Sequence, residues 1–212
     1  MGIFRKSPPA FDSVTYWKNR YSNGGNSGSG SYGKLADFKA KSFNRFVREN
    51  DIHSCIEYGC GDGNQLALME VDKYLGFDVS PDTISAISRK FEEDPRKKFE
   101  VYSPGIFKVS DAYRADISLS MDVILHLIEE TRYQDYMRNL FNSGGRFVGI
   151  FSTATDEQPL KMAAHNRFRD HRKWITENAT DFQLVACEFT PEDLGYPINT
   201  GFFYYKRNHQ AN

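Results

Sequence analysis

The feature that most constrains the fold is a glycine-rich turn that directly follows an apolar strand, in the segment Cys55–Leu66 (CIEYGCGDGNQL). Its glycines are Gly59, Gly61 and Gly63. Glycines at this point let backbone N–H groups approach a ligand closely. Asp78 ends the next strand, at the position from which a carboxylate binds ribose hydroxyls in nucleotide-binding α/β folds. The pattern therefore predicts a nucleoside ligand.

Predicted strands and helices alternate along most of the chain. The strands are predicted at 53–59, 73–79, 99–102, 115–124, 146–152, 182–189 and 201–207, and the helices at 34–50, 80–94, 129–141 and 169–179, with a helix start at 64–70. Such alternation favours an α/β fold with a mostly parallel sheet. The last two strands have no helix between them, so the final strand is predicted to be antiparallel, at or near one edge.

Composition excludes several classes of protein. The 212 residues suit one domain, and a net charge of -1 argues against a large basic surface for nucleic acid. No apolar run is long enough to span a bilayer, and residues 1–10 lack the apolar core of a secretion signal and the myristoylation pattern. The 3 cysteines show no metal-ligand spacing. We expect a cytoplasmic protein with reduced thiols and no bound metal.

The charge of the glycine turn indicates which nucleoside it binds. Asn64 stands where the dinucleotide fingerprint has its third glycine, and Glu57 and Asp62 place two carboxylates at the turn. Carboxylates repel a pyrophosphate but suit a ligand with positive groups, such as the sulfonium and amine of S-adenosylmethionine. For Asp62, a role as cap of the following helix is the alternative.

Four segments in this order resemble the motifs of class I S-adenosylmethionine-dependent methyltransferases, of the small bacterial metabolite type. They are EYGCGDG (57–63), GFDVSP (76–81), ADISLSMDVILHLIEE (115–130) and GGRFVGIFS (144–152). The resemblance extends from about residue 16 to residue 207. It implies a Rossmann-like seven-stranded sheet in the order 3-2-1-4-5-7-6, with strand 7 antiparallel and helices on both faces.

The resemblance also implies which residues bind S-adenosylmethionine. The core positions are Glu57, Gly59, Cys60, Gly61, Asp62, Gly63, Asp78, Val79, Ser120 and Met121. The adenine contact is less well defined, because the chain is longer than usual after the third strand. Ser103 and Asp111 are both candidates there.

Residues 1–50 are predicted to form a segment that covers a core of residues 51–212. Within it, YWKNRY (16–21) offers Tyr16 to exclude water and Arg20 for the carboxylate of the methionyl end. The glycine- and serine-rich stretch SNGGNSGSGSYG (22–33) is interpreted as a mobile lid. A disordered surface loop is the alternative.

The methyl acceptor is expected to lie beyond the fourth strand. His126, four residues after Asp122, is the first candidate for the general base, and His165 and His171 are the others. Asp122 is predicted to belong to the catalytic set as well, with a role in holding the donor or the substrate as the alternative. Arg167, Arg169 and Arg172, together with Tyr32, are predicted to bind a small anionic acceptor through its oxygen atoms. The alternative for His126 is a structural role, and the alternative for the arginine cluster is a solvated helix face.

The sequence thus predicts methyl transfer from S-adenosylmethionine to an oxygen or nitrogen of a small metabolite, of sugar, phosphate or carboxylate type. An NAD-dependent oxidoreductase and a non-catalytic nucleoside-binding module are the rival functions. Nucleic acid is disfavoured as a partner, and the oligomeric state is left open.

Overall fold

The computed structural model describes residues 11–208. The expectations about residues 1–10, and the last four residues of the predicted core, lie outside this range. Between residues 11 and 208, no helix combines the length and the apolar character needed to cross a membrane.

A single sheet of seven strands forms the centre of the molecule. The strands are β1 (Ser54–Tyr58), β2 (Lys73–Asp78), β3 (Lys97–Val101), β4 (Ala115–Met121), β5 (Gly144–Thr153), β6 (Phe182–Phe189) and β7 (Thr200–Arg207). They are arranged in the order β3-β2-β1-β4-β5-β7-β6. The first five strands pair in parallel, and β7 runs antiparallel to both of its neighbours. The predicted topology is confirmed.

Helices cover both faces of the sheet. They are α1 (Ser13–Ser22), α2 (Gly33–Glu49), α3 (Pro81–Lys90), α4 (Glu130–Ser143) and α5 (His171–Asn178). Alternate residues of β5 point to opposite faces, with Phe147 and Phe151 packed among residues of α2 and Val148 and Ile150 packed among residues of α4 and α5. The strand is apolar on both sides because each side is buried.

The helix start predicted at 64–70 is wrong. The chain forms only a single 3-10 turn at Leu66–Leu68 before β2 begins. A helical crossover between parallel strands needs about a dozen residues, and only residues 64–72 remain between the glycine turn and β2. The site on the glycine turn therefore lacks the helix dipole that a longer connection would supply.

The helix α2 is part of the main hydrophobic core. Its residues Leu35, Phe43 and Phe46 pack in the same cluster as Phe147 of the sheet. The division of the chain at residue 50 remains a prediction.

Candidate functional site

A cleft opens at the carboxyl ends of β1, β2 and β4, the edge where open α/β sheets bind ligands. Among its walls are these residues predicted from the sequence: Glu57, Gly59, Cys60, Asp62, Asp78, Val79, Met121, Asp122 and His126. The fold therefore brings acids from three strand ends and the first base candidate to one surface. The individual roles assigned to them remain predictions.

The glycine turn has a backbone that only glycine adopts readily. Gly59 and Gly61 have φ values of 85° and 54°. A Cβ atom at Gly59 would lie 2.4 Å from the Val123 side chain, and one at Gly61 would lie 2.2 Å from Oγ of Ser27. The turn is thus shaped by its neighbours as well as by its own conformation.

Two buried carboxyl groups line the cleft beside this turn. Glu57 accepts a hydrogen bond from the Tyr74 hydroxyl, and Asp78 accepts hydrogen bonds from the N–H groups of Gly61 and Ser80 at 3.2 and 2.9 Å. Burial raises the pKa of Glu57 to about 7 and that of Asp78 to about 6. A cationic ligand would offset this effect, because it favours the ionised carboxylates.

A buried lysine that sequence analysis missed also lines the cleft. Lys39 of α2 is 0% exposed, and its Nζ lies 2.7 Å from Oδ2 of Asp122 and 5.2 Å from the centre of the Phe151 ring. The signal was present in the sequence, because Lys39 stands four residues from both Leu35 and Phe43 on the apolar stripe of the helix. A lysine in such a stripe needs a buried partner, which only the fold reveals.

The helix α1 covers the cleft with a different face from the one predicted. Ser13, Trp17 and Tyr21, spaced four residues apart, line the cleft. Tyr16 instead stacks on His165 outside those walls, with ring centres 4.6 Å apart. Arg20 also lies outside, where its Nε donates to the backbone carbonyl of Asn26 at 2.7 Å. The structure thus gives Arg20 a partner within the loop, and its guanidinium lies 5.5 Å from the centre of the Trp17 ring rather than in the cleft wall itself.

A charged cluster ties the start of α1 to the start of α4. Arg132 donates to the carboxylate of Asp12 and, at 2.7 Å, to Glu129, and Glu129 accepts from the N–H of Ser13 at 2.8 Å. Arg132 is also part of the cleft wall. The hydrogen bond from Arg132, together with the N-cap contact to Thr15, holds the pKa of Asp12 well below its usual range. This end of the covering helix is therefore fixed.

The glycine- and serine-rich loop is docked on the glycine turn through Asp62. The Asp62 carboxylate accepts from the N–H of Ser27 at 2.9 Å and from the Tyr32 hydroxyl at 2.8 Å, and its own N–H donates to Oγ of Ser27 at 3.0 Å. The side chain of Asn64 donates to the carbonyl of Ser31 at 2.6 Å. Tyr32, predicted to contact the substrate, thus contacts Asp62, and the loop has defined partners.

The same loop reaches the end of β4. A Cβ atom at Gly30 would lie 2.7 Å from Oδ2 of Asp122, the atom that pairs with Lys39. Asp122 itself has a φ of 58°, a conformation that aspartate tolerates better than most residues. The loop therefore needs a glycine where it meets this ion pair.

His126 is the base candidate that the structure places on the cleft. Its Nδ1 lies 3.1 Å from the backbone carbonyl of His165, so it donates there and leaves Nε2 as an acceptor. Its ring also contacts that of Trp17, with centres 4.8 Å apart. Burial lowers the pKa of His126 to about 4, so the imidazole is neutral at physiological pH.

The other two histidines lie elsewhere. His171 is fully buried against Phe203, and neither ring nitrogen has a hydrogen-bond partner within residues 11–208. It cannot meet a substrate in the cleft, because the first turn of α5 directs its ring into the core. His165 packs between Tyr16 and His126, on the outer side of the cleft.

The predicted arginine cluster is largely used within the protein. Arg169 is buried and donates to the carbonyl of Ile128 at 3.0 Å, and Arg172 is paired with Asp170 at 2.7 Å. The side chain of Arg167 is exposed, and among residues 11–208 it makes only a long contact, of 3.4 Å, to the Ile128 carbonyl. Only Arg167 remains available to an incoming anion.

The end of the cleft near β3 also differs from expectation. Tyr102 and Pro104 line it, whereas the side chain of Ser103 between them is exposed. Asp111 is fully exposed and paired with Arg114. Three further positions predicted for the cofactor or substrate lie behind or beside the walls, namely Gly61, Gly63 and Ser120.

By sequence, the chain matches no family model and no curated protein. By structure, it is similar to magnesium protoporphyrin IX methyltransferase from Synechocystis PCC 6803 with bound S-adenosylmethionine, with a TM-score of 0.65 at 15% identity over 95% of this chain and 100% of that chain. It is also similar to the N-methyltransferase NodS from Bradyrhizobium japonicum WM9 with S-adenosylhomocysteine, with a TM-score of 0.68 at 12% identity over 94% of this chain and 100% of that one. The chain has the fold of the class I S-adenosylmethionine-dependent methyltransferases.

The fold by itself does not specify the reaction. The cyclase SpnF is similar as well, with a TM-score of 0.62 at 10% identity over 93% of this chain and 94% of that one. The reaction therefore depends on the residues that line the cleft.

We predict that Asp62→Ala detaches the loop at residues 22–33 without unfolding the protein. The substitution removes the acceptor of Ser27 and Tyr32, and hydrogen bonds to a charged group contribute about 1.5–3 kcal/mol each. The amide of Ser27 should then exchange its hydrogen at least about tenfold faster, while amides of β5 keep their protection. Hydrogen exchange measures both.

The matched control is Asp37→Ala, on the exposed side of α2. An unchanged exchange rate for Ser27 in Asp62→Ala would show that this carboxylate does not hold the loop.

Proposed function

We propose that the protein is a methyltransferase that uses S-adenosylmethionine. The observation that carries the proposal is the pair of buried carboxyl groups, Glu57 and Asp78, beside a glycine turn in a fold of this class. Buried acids are costly unless something positive or hydrogen-bonding faces them. A nucleoside with a sulfonium and an amine meets both needs.

The residues of the cleft fit this cofactor in three places. Asp78 lies at the end of β2, where a carboxylate can accept the ribose hydroxyls. Glu57, at the turn, favours the cationic end of the molecule, and Tyr102 and Pro104 offer an apolar surface to the adenine. S-adenosylmethionine supplies, when bound, a methyl group on a cationic sulfur that is already a good leaving group.

The remaining task of the protein is to position the acceptor, exclude water and remove a proton. Trp17 and Tyr21 close the cleft from the side of α1 and keep water from the reacting atoms. His126 is neutral and directs Nε2 away from the carbonyl that holds Nδ1. We assign to Nε2 the acceptance of the proton from the hydroxyl or ammonium group of the acceptor.

We propose that the methyl acceptor is a small anion. The residues that support this proposal are Arg167 and Arg20. The backbone N–H of Arg167 donates to the carbonyl of Leu125 at 2.7 Å, beside His126. Arg20 lies close enough to His165 for its charge to add to the effect of burial in lowering the pKa of that histidine. Two cations near the base would attract a phosphate or carboxylate.

Calorimetric titration tests the cofactor assignment. We expect micromolar binding of S-adenosylmethionine and S-adenosylhomocysteine, no binding of NAD, and loss of at least about tenfold in affinity in Asp78→Ala, because a charge-assisted contact to the ribose is removed. NAD binding in place of the other two would assign the protein to the oxidoreductases. Cofactor binding without turnover of any acceptor would favour a non-catalytic nucleoside-binding module.

The affinity for S-adenosylmethionine should rise with pH and become constant above about pH 7. Burial raises the pKa of Glu57 to about 7 in the free protein, whereas a cationic ligand favours the ionised form and lowers that pKa again. Binding therefore releases a proton below pH 7, and one released proton changes the affinity by at most about tenfold per pH unit. Titrations between pH 5.5 and 8 check this expectation.

In Glu57→Gln, the affinity for S-adenosylmethionine should depend less on pH, and the remaining dependence should be the part that Asp78 contributes. A wild-type affinity that does not change between pH 5.5 and 8 would contradict the role of Glu57.

On the acceptor side, His126→Asn should lower kcat by about 100-fold or more, the usual contribution of a positioned base. The Kd of S-adenosylmethionine should change little, since the substitution does not touch the glycine turn.

Arg167→Ala should raise the KM of an anionic acceptor and leave the Kd of S-adenosylmethionine unchanged. Initial rates with phosphorylated and carboxylated acceptors provide these values.

The matched control is His53→Asn, at the opposite edge of the sheet, where His53 pairs with Asp51 and Asp72. Equal rates in His126→Asn and wild type would exclude His126 as the base.

A further inference from the structure

The deep part of the cleft contains two groups to which the proposed function assigns no role. Lys39 and Gln65 both line the cleft, and both are almost completely buried. They lie against the same stretch of α2, because Nε2 of Gln65 donates to the carbonyl of Ala36, one turn before Lys39, at 3.0 Å. This wall of the cleft thus presents a cation next to an amide.

The side-chain amide of Gln65 has an acceptor oxygen that is available to a ligand. Its nitrogen is fixed by Ala36, so the oxygen Oε1 must face away from that carbonyl. Oε1 is buried and has no hydrogen-bond partner among residues 11–208. An unpaired buried acceptor destabilises the protein, and a donor on a bound molecule would remove that cost.

The ammonium group of Lys39 has N–H donors that are available to a ligand. An ammonium group has three N–H donors, and residues 11–208 supply one side-chain acceptor for it, Asp122 at 2.7 Å. The side chain is 0% exposed and rests over the face of Phe151. A second anion in the cleft would therefore find a positive charge that water does not screen.

The acid Glu57 completes the set. It lines the same cleft and is close enough to Lys39 for the positive charge to favour its ionised form. The wall therefore offers a cation with free donors beside a carboxylate and a free amide oxygen. A zwitterion, with a carboxylate and an ammonium group on the same carbon atom, is the complementary ligand.

We infer that Lys39 and Gln65 form a subsite for the α-amino-acid end of the cofactor. Lys39 binds the carboxylate, and Oε1 of Gln65 accepts from the ammonium group together with Glu57. This inference rests on the proposed function and deepens it. It also replaces Arg20, which sequence analysis assigned to that carboxylate and which donates to Asn26 instead.

The subsite makes the protein selective for the complete cofactor. A nucleoside that lacks the amino-acid end would leave Oε1 of Gln65 unpaired and Lys39 with Asp122 alone. The rival explanation is that Lys39 is only the counter-ion of Asp122 and touches no ligand. The two explanations differ in how a variant discriminates among related nucleosides.

The experiment measures calorimetric Kd values for three ligands. They are S-adenosylhomocysteine, its analogue without the carboxylate, and methylthioadenosine, which lacks the whole amino-acid end. In Lys39→Met we expect the affinity for S-adenosylhomocysteine to fall about 10- to 100-fold, as for loss of a hydrogen bond to a charged group, with little change for the other two ligands. In Gln65→Leu the affinity should fall for the two ligands that carry the ammonium group and not for methylthioadenosine.

The control is Lys41→Met, an exposed lysine on the same helix, which should bind all three ligands as wild type does. Lys39→Met leaves Asp122 without its counter-ion, so melting temperatures are recorded, and Lys39→Met/Asp122→Asn removes the whole pair if the single variant is unstable. The double variant should show the same selective loss.

Equal losses for all three ligands, or no loss for S-adenosylhomocysteine, would overturn the subsite and leave the proposed function in place. Failure of all three ligands to bind the wild-type protein would overturn the proposed function, and the subsite with it.

Discussion

The ion pair between Lys39 and Asp122 is the contact on which the arrangement of the cleft depends. It joins α2 to the end of β4 at 2.7 Å, with the lysine fully buried. A pair with one charge removed from water in this way contributes little net stability, but loss of Asp122 is costly, because Lys39 is then left buried and unpaired. The pair therefore joins α2 to the sheet at the cleft, in addition to the apolar contacts of that helix. The docked loop meets the pair at Gly30, and the charge of Lys39 favours the ionised form of Glu57.

The electrostatics of the cleft follow from burial more than from the number of charges. Glu57 and Asp78 are both nearly inaccessible to water, and burial raises the pKa of each. Asp62 differs, because hydrogen bonds from Ser27 and Tyr32 lower its pKa despite partial burial. Asp62 thus holds the loop, whereas Glu57 and Asp78 accept hydrogen bonds from Tyr74 and from the N–H groups of Gly61 and Ser80. A positively charged nucleoside gains most from this division.

The N-terminal segment contributes to the site from two elements with different tasks. The helix α1 is fixed at its start by Arg132 and presents Trp17 to His126. The loop that follows is fixed at its middle by Asp62 and meets Asp122 at Gly30. Glycine and serine are common in flexible linkers, but here their small size lets backbone approach two carboxylates closely. The same composition thus serves a docked loop.

The sequence by itself determined the alternation of strands and helices, the glycine turn and the acids at the strand ends, since these depend on hydrophobic pattern and on residues close together in the chain. The order of the strands followed only from the resemblance to the class I methyltransferases. It also contained the signal for Lys39, a charge on the apolar stripe of α2, but not its partner, because Asp122 is distant in sequence. Only the tertiary structure decided that Trp17 and Tyr21 rather than Tyr16 and Arg20 face the cleft, that His171 is buried, and that Arg169 and Arg172 are already paired. Helical spacing alone allows either face of α1 to point inward, and a cluster of basic residues does not reveal which carbonyls and carboxylates will meet it. Those choices depend on contacts between segments far apart in the chain, which exist only once the chain has folded.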